Sequence, residues 1–353
     1  MLQAEQILKQ RYQLKRKLGH NPQRQTWLAE DIGVSPAETV IVKLLAFGGD
    51  VQWDDLKLFE REAQILKQLN HPRIPKYRDY FSIDERSLWF GLVQEYIPGV
   101  SLKEQLNQGK RFTQEEIYQI AVDILKILEF LHQLNPAVLH RDIKPSNLIW
   151  GEDDRIHLVD FGAVQDRAVT EGTTFTVVGT YGYAPMEQFG GRAVPASDLY
   201  ALGATLIHLL TGCTPADLPQ RRLRICFEDK VTLTPRLVNW IKKLTEPAPE
   251  ERYQSASVAL SALESAMMPN PIEESIEVAI ERLYREPVIA NNSGHGNFLD
   301  SSVVVPNEIK GWNWGAFLMP WLWPFTNQVW VGLFSYVPSI YWVMALALGA
   351  KGN

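Results

Sequence analysis

Cysteine is nearly absent from this chain: Cys213 and Cys226 are the two among 353 residues. Two isolated thiols cannot staple a disulfide scaffold, and a reducing compartment suits them. Neither has the clustered His or further Cys that a zinc site requires. An excess of positive charge is missing too. With a formal net charge of −6, attraction to nucleic acid by bulk electrostatics is excluded as the basis of function, and no nucleic-acid partner is expected. Met1 to Glu5 already carries charge, and no apolar run of signal-peptide length follows, so the globular part is expected to start and stay in the cytosol. The last absence is local. Gly311 to Ala350 contains no Asp, Glu, Lys or Arg, yet six of the eleven tryptophans fall there.

What is present divides into three zones. Residues 12–266 alternate strand-like and helix-like segments with compact turns. Residues 267–310 are acidic and turn-rich, and residues 311–350 are apolar. In the first zone, Thr39 to Leu45 is β-branched and bounded by turn formers, which predicts a strand, and Ser87 to Glu95 reads likewise. Asp54 to Leu69 sets Leu58, Phe59, Ala63, Leu66 and Leu69 at helical spacing and stops before His71-Pro72. Glu115 to Leu134 reads as a long apolar-striped helix, and Ser197 to Leu210 as another. Strands early and helices late imply an α+β protein, with a small sheet-rich lobe before a larger helical one. A cleft between such lobes is a natural ligand site.

Two carboxylate motifs carry the chemistry. The first is His140-Arg141-Asp142-Ile143-Lys144-Pro145-Ser146-Asn147. Thirteen residues after Asn147 comes Asp160-Phe161-Gly162, behind the strand-like Ile156-His157-Leu158-Val159. Either motif alone means little; the pair at this spacing is specific. Here the sequence resembles the protein kinase superfamily, in the eukaryotic-like (Hanks-type) serine/threonine form found in bacteria, over about residues 12 to 265. The resemblance implies a two-lobed kinase fold, ATP and magnesium as cofactors, and protein substrates with Ser or Thr hydroxyls. Asp142 then orients the substrate hydroxyl and accepts its proton, and Lys144 neutralises the transferring phosphoryl group. Asn147 and Asp160 are hard oxygen ligands suited to magnesium.

The same resemblance assigns further residues. Lys43, at the end of Val40-Ile41-Val42, is the phosphate-contacting lysine, and Glu62 its ion-pair partner, with Glu60 as the rival. Leu92 to Gly99 is similar to the hinge, where backbone groups of Glu95 and Ile97 would meet adenine beside Gln94, with Leu18, Ile41 and Ile149 sandwiching the base. The alternative for those three is plain core packing. The phosphate loop departs from the family: of three glycines only Gly19 remains, Asn21 and Arg24 stand at the other two places, and Thr26 replaces the usual valine. Glycines there admit positive φ and close phosphate approach. Arg24 is therefore expected to contact phosphate by charge. That departure keeps open a pseudokinase scaffold with weak or no phosphotransfer.

Thr170, Thr173, Thr174 and Thr176, followed by Gly179 to Glu187, resemble an activation segment. Thr180 matches the threonine of serine/threonine specificity. Arg141 would await a phosphate on this loop, which leaves room for self-association in autophosphorylation. Glu187 should pair with Arg252, and Asp198 should hold the catalytic-loop backbone. Beyond the kinase-like zone, Asn270-Pro271-Ile272-Glu273 opens an amphipathic helix, and residues 287–308 read as a flexible linker. Trp314 to Phe325 is short and interrupted by Pro320 and Pro324. Val329 to Gly349, about 21 residues at ~1.5 Å rise, is long enough for ~30 Å of hydrocarbon, with Trp, Tyr and flanking lysines as an interface belt. A membrane-associated C-terminus is expected, its number of crossings open. The alternative is a small buried module.

Overall fold

In a computed structural model, residues 2–19, 24–47, 53–84, 88–166 and 179–267 are described. The described residues fall in one compact unit, which ends at Met268; the acidic zone from residue 268 on and the apolar zone lie outside the described residues. Among those described, no helix is long and apolar enough to cross a membrane.

The chain opens with four strands, β1 (Ile7–Leu8), β2 (Tyr12–Lys17), β3 (Arg24–Asp31) and β4 (Glu38–Phe47). After helix α1 (Trp53–Gln68) come β5 (Tyr77–Asp84) and β6 (Leu88–Glu95). They form one antiparallel sheet in the order β1-β2-β3-β4-β6-β5. Alternation along β4 decides what each face does. Val40, Val42 and Leu44 enter a small core with Tyr12, Leu14 and Trp27, while Leu45 joins the larger core with Leu56, Phe59 and Leu66 of α1. Lys43 shares the Leu45 side. It lies inside β4, not at its end, because Thr26 of β3 and Leu92 of β6 pair with it from both sides.

The second half is helical. β7 (Gly99–Ser101) leads to α2 (Leu102–Asn107) and α3 (Gln114–Gln133). The short strands β8 (Val138–Leu139), β9 (Leu148–Gly151), β10 (Ile156–Leu158) and β11 (Gln165–Asp166) follow. Then come α4 (Met186–Phe189), α5 (Pro195–Thr211), the hairpin β12 (Gln220–Arg221) and β13 (Arg224–Ile225), α6 (Pro235–Leu244) and α7 (Ala256–Met267). Helix α3 starts where a capping box fixes it: Thr113 Oγ1 accepts from Glu116 N at 3.2 Å, and Glu116 returns the bond to Thr113 N at 2.9 Å. Its buried stripe runs Ile117, Ile120, Ile124, Ile127 and Leu131, each worth roughly 1.5–3 kcal/mol on burial. Helix α5 begins at Pro195 and ends at Thr211, capped by Gly212, whose φ of 69° closes the last turn. It is buried almost all round because α3 and α6 pack against it. The expected strands and helices in this zone are present, with boundaries moved by a residue or two.

Candidate active site

Strand β4, helix α1 and the turn after β10 bring three charges together. Lys43 Nζ donates to Glu62 Oε1 at 2.5 Å and to Asp160 Oδ1 at 2.6 Å. The Glu62 side chain is 4% exposed, whereas that of Asp160 is 47% exposed, so one carboxylate is an internal anchor and the other faces the opening. Burial by itself would lower the pKa of Lys43, but the charges of Asp160 and Glu62 more than reverse that, and the ammonium titrates above its ordinary value. The charge of Lys43 in turn holds the Asp160 carboxyl well below the usual carboxylate range. Asp160 takes a φ of 67°, a left-handed backbone conformation uncommon outside glycine. Phe161 behind it is 1% exposed and meets the His140 ring edge-on at 4.9 Å.

A second cluster sits on the loop between β8 and β9. Asp142 Oδ2 accepts from Lys144 Nζ at 2.7 Å and from Asn147 Nδ2 at 3.1 Å. Its Oδ1 accepts the Thr180 hydroxyl at 2.7 Å, and Lys144 Nζ reaches the same Thr180 oxygen at 2.7 Å. Asn147 Nδ2 also donates to the Asp142 carbonyl at 2.8 Å. Tying down that amide nitrogen leaves Oδ1 as the free-lone-pair end of Asn147, with one bond from Ser146 Oγ at 3.1 Å. Val159 N donates to the Asn147 carbonyl at 2.9 Å, which couples the two clusters through one backbone bond.

The support beneath the loop is buried. Asp198, 0% exposed, accepts from the backbone N–H of His140 at 3.0 Å and of Arg141 at 2.8 Å. Burial would raise its pKa, but the bond from His132 at 2.9 Å and these amides prevail, and the carboxyl lies below its ordinary value. Arg252 Nη1 meets Glu187 Oε1 at 2.6 Å, and Ser197 Oγ donates to the same oxygen at 2.7 Å. Both expected partnerships are therefore present. Arg141 is 5% exposed, and its Nε has no hydrogen-bond partner among the described residues. The threonines at 170, 173, 174 and 176 lie outside those residues.

The pocket wall is partly drawn together. Ile41 is 9% exposed and pairs with Gln94, itself 4% exposed. Ile149 lies on β9 opposite Ser101. Leu18 is 42% exposed, with its N–H bonded to the Thr26 carbonyl at 2.7 Å; Gly19 N reaches the same oxygen at 3.4 Å. Glu95 N donates to the Lys76 carbonyl at 2.9 Å and the Glu95 side chain accepts from Lys76 N at 3.1 Å. Ile97 follows where strand pairing stops, and among the described residues no backbone bond uses its N–H. Asn21 lies outside the described residues.

Arg24 Nη2 lies 3.4 Å from the Asp55 carbonyl and 3.7 Å from the Asp55 carboxylate. The acidic first turn of α1, Asp54 and Asp55, thus lies beside the start of β3. Two supporting residues escaped sequence reasoning. His132 lies in the last turn of α3, sixty-six positions from its partner Asp198. Asp123, 1% exposed inside the apolar stripe of α3, accepts from Ile156 N at 3.1 Å and pairs with Arg73. A carboxylate on an otherwise apolar face was the one available signal.

Comparison with known proteins gives a consistent picture. The family model described as protein kinase domain matches residues 32–268. Serine/threonine-protein kinase B of Synechocystis sp. is 38% identical over 275 residues, covering 72% of this chain and 46% of that protein. Serine/threonine-protein kinase PknA of Nostoc sp. is 34% identical, with 76% and 49% covered. Serine/threonine-protein kinase PrkC of Bacillus subtilis is 32% identical, with 70% and 39% covered. The matched stretch thus spans about half the length, or less, of these curated relatives.

Proposed function

Given that this chain belongs to the protein kinase family, we propose that it transfers the γ-phosphoryl group of ATP to serine and threonine hydroxyls of proteins, tethered to a membrane by residues 311–350. The observation that carries the transfer reading is the Asp142 carboxylate, shared by Lys144 and the Thr180 hydroxyl at 2.7 Å each. Thr180 exemplifies the contact an incoming hydroxyl would make. Asp142 takes the proton of that hydroxyl as the oxygen bonds to the γ-phosphorus and the bond to the β–γ bridging oxygen breaks, releasing ADP, and Lys144 offsets negative charge on the group in transit. Lys43, oriented by Glu62, holds the phosphates of the nucleotide. Asn147 Oδ1 and the exposed Asp160 carboxylate fit magnesium, being two hard oxygen donors that leave other positions to phosphate and water. When bound, that ion neutralises charge on the phosphate oxygens. Leu18, Ile41 and Ile149 enclose the adenine, the Glu95 carbonyl and the Ile97 N–H meet its edge, and Gly19 with Thr26 cover the phosphates.

Catalysis on this reading is positioning and charge neutralisation, with no covalent enzyme intermediate. Arg141, buried with its Nε unpartnered among the described residues, is the receptor for a phosphate on the threonine-rich loop. One copy phosphorylating another would supply that phosphate. The membrane tether rests on the charge-free run from Gly311 to Ala350. The deciding experiment incubates the full chain with magnesium and ATP and maps products by mass spectrometry. Phosphoserine or phosphothreonine in the parent, lost in Asp142→Asn, is expected. A parent that binds ATP and yields no phosphorylated residue on itself or on a general protein substrate sinks the transfer reading.

A further inference from the structure

A concavity of about 540 Å3 between residues 219 and 230, closed by Lys242, contains none of the residues proposed for transfer. Its rim is the β12–β13 hairpin, in which Gln220 pairs with Ile225 and Arg221 with Arg224. Arg222 and Leu223 form the two-residue turn, with φ of 51° and 64°. A turn with positive φ at both central positions favours Asn-Gly or Gly-Gly, because a bulky side chain is strained there. Here both positions carry large side chains, and Leu223 is 64% exposed. The base of the hairpin is firmly held. Ile225 and Phe227 are 4% and 1% exposed; Arg224 Nε bonds Glu246 at 2.7 Å and Lys242 pairs with Glu228 at 2.8 Å. A strained tip on an anchored base is costly to keep as mere surface.

The charge left at this rim is one-sided. Arg224 and Lys242 are committed to carboxylates, but Arg221, Arg222 and Lys230 have no ion pair or side-chain hydrogen bond among the described residues. Against them stands one uncommitted carboxylate, Asp229. This cationic spot belongs to a chain of net charge −6, which opposes a long polyanion or an anionic membrane surface but not a short acidic segment. The exposed Leu223 beside the guanidinium groups calls for an apolar neighbour as well. We propose that the β12–β13 hairpin and its cavity are a docking site for an acidic peptide segment of a partner protein. Asp or Glu carboxylates of that segment meet Arg221, Arg222 and Lys230, and an adjacent apolar side chain covers Leu223. Taking the partner to be a phosphorylation substrate rests on the transfer reading above; the docking does not.

The test is fluorescence anisotropy without ATP, on the full chain in non-ionic detergent. The probe is a labelled peptide of several glutamates around one leucine. Saturable, salt-sensitive binding is expected, weakened about tenfold or more by R221E/R222E and about threefold by L223S, and retained by R221K/R222K. The same peptide with lysine in place of glutamate should not bind. Unchanged binding in R221E/R222E or in L223S overturns the proposal. So does complete displacement by equimolar tripolyphosphate, which would leave a simple anion site. Since no ATP is present, a chain unable to transfer phosphate can still pass this test. A chain that phosphorylates but fails it loses only the docking site.

Discussion

Lys43, Asp142 and Asp160 each derive their roles from what surrounds them. Asp142→Ala removes the carboxylate that Lys144, Asn147 and Thr180 share. Phosphotransfer should fall by roughly 10²–10⁴, the usual worth of a positioned acid–base group, while the urea unfolding midpoint stays near that of the parent. A loss under about tenfold, only ~1.4 kcal/mol, would remove Asp142 from the mechanism. Asp160→Ala should abolish the magnesium-dependent increment of ATP affinity in calorimetry, and survival of that increment would put the metal elsewhere. The motif residues were legible because their spacing along the chain is distinctive. His132 and Asp123 were not, since each works through a partner on another element, and a lone acid or imidazole on a helix carries no spacing signal.

Elements obey local rules until a neighbour intervenes. The apolar stripe of α3 was legible from Glu115 to Leu134, whereas its start is fixed by the Thr113–Glu116 capping box, and Thr113→Ala should cost about 1 kcal/mol in urea unfolding. Helix α5 illustrates the opposite case. A Cβ on Gly203 would lie 2.7 Å from Thr245 Cγ2 and 2.9 Å from Leu244 Cβ, so α6 approaches α5 through that glycine. By propensity alone Gly203→Ala stabilises a helix by about 1 kcal/mol. Overpacking at this contact costs ~1–3 kcal/mol, and we expect a net loss, seen as a lower midpoint at unchanged m-value. A higher midpoint would mean that the α5–α6 contact yields readily. At the start of β3, Arg24 likewise meets a neighbour from another element, Asp55 of α1.

On the scale of the molecule, acid sensitivity follows from the buried carboxylates. Burial would raise the pKa of Glu187, but the bonds from Arg252 and Ser197 outweigh it and the carboxyl lies below its ordinary value; Asp198 behaves alike. A group depressed in the folded state binds more protons when unfolded, so its contribution is present above the unfolded value, about 4–4.5, and drains away as pH falls through the folded one. Stability should therefore decline below about pH 4.5, and Glu187→Gln should flatten that decline while lowering stability at neutral pH. An acid limb of unchanged steepness would show that the Glu187–Arg252 pair does not set it. The proposed tether makes a separate prediction. Val343→Asp with Leu346→Asp should release the full chain from a carbonate-washed membrane fraction, each charge at mid-bilayer costing ~2.5–3.5 kcal/mol. A parent chain already in the supernatant would refute the tether.

The sequence by itself determined the α+β order and the rough extents of the strands and helices, and its motif spacing singled out Lys43, Glu62, Asp142, Asn147 and Asp160. These depend on periodicity and on spacing along one chain, which a linear string records. Only the tertiary structure decided which further groups meet: Asp160 on Lys43 beside Glu62, Thr180 on Asp142, His132 under Asp198, Arg24 on Asp55. It also decided that Arg222 and Leu223 stand at a strained tip above a basic cavity. Such pairings unite residues from separate elements, and their energy comes from distance and burial, quantities that exist only once the chain has closed on itself.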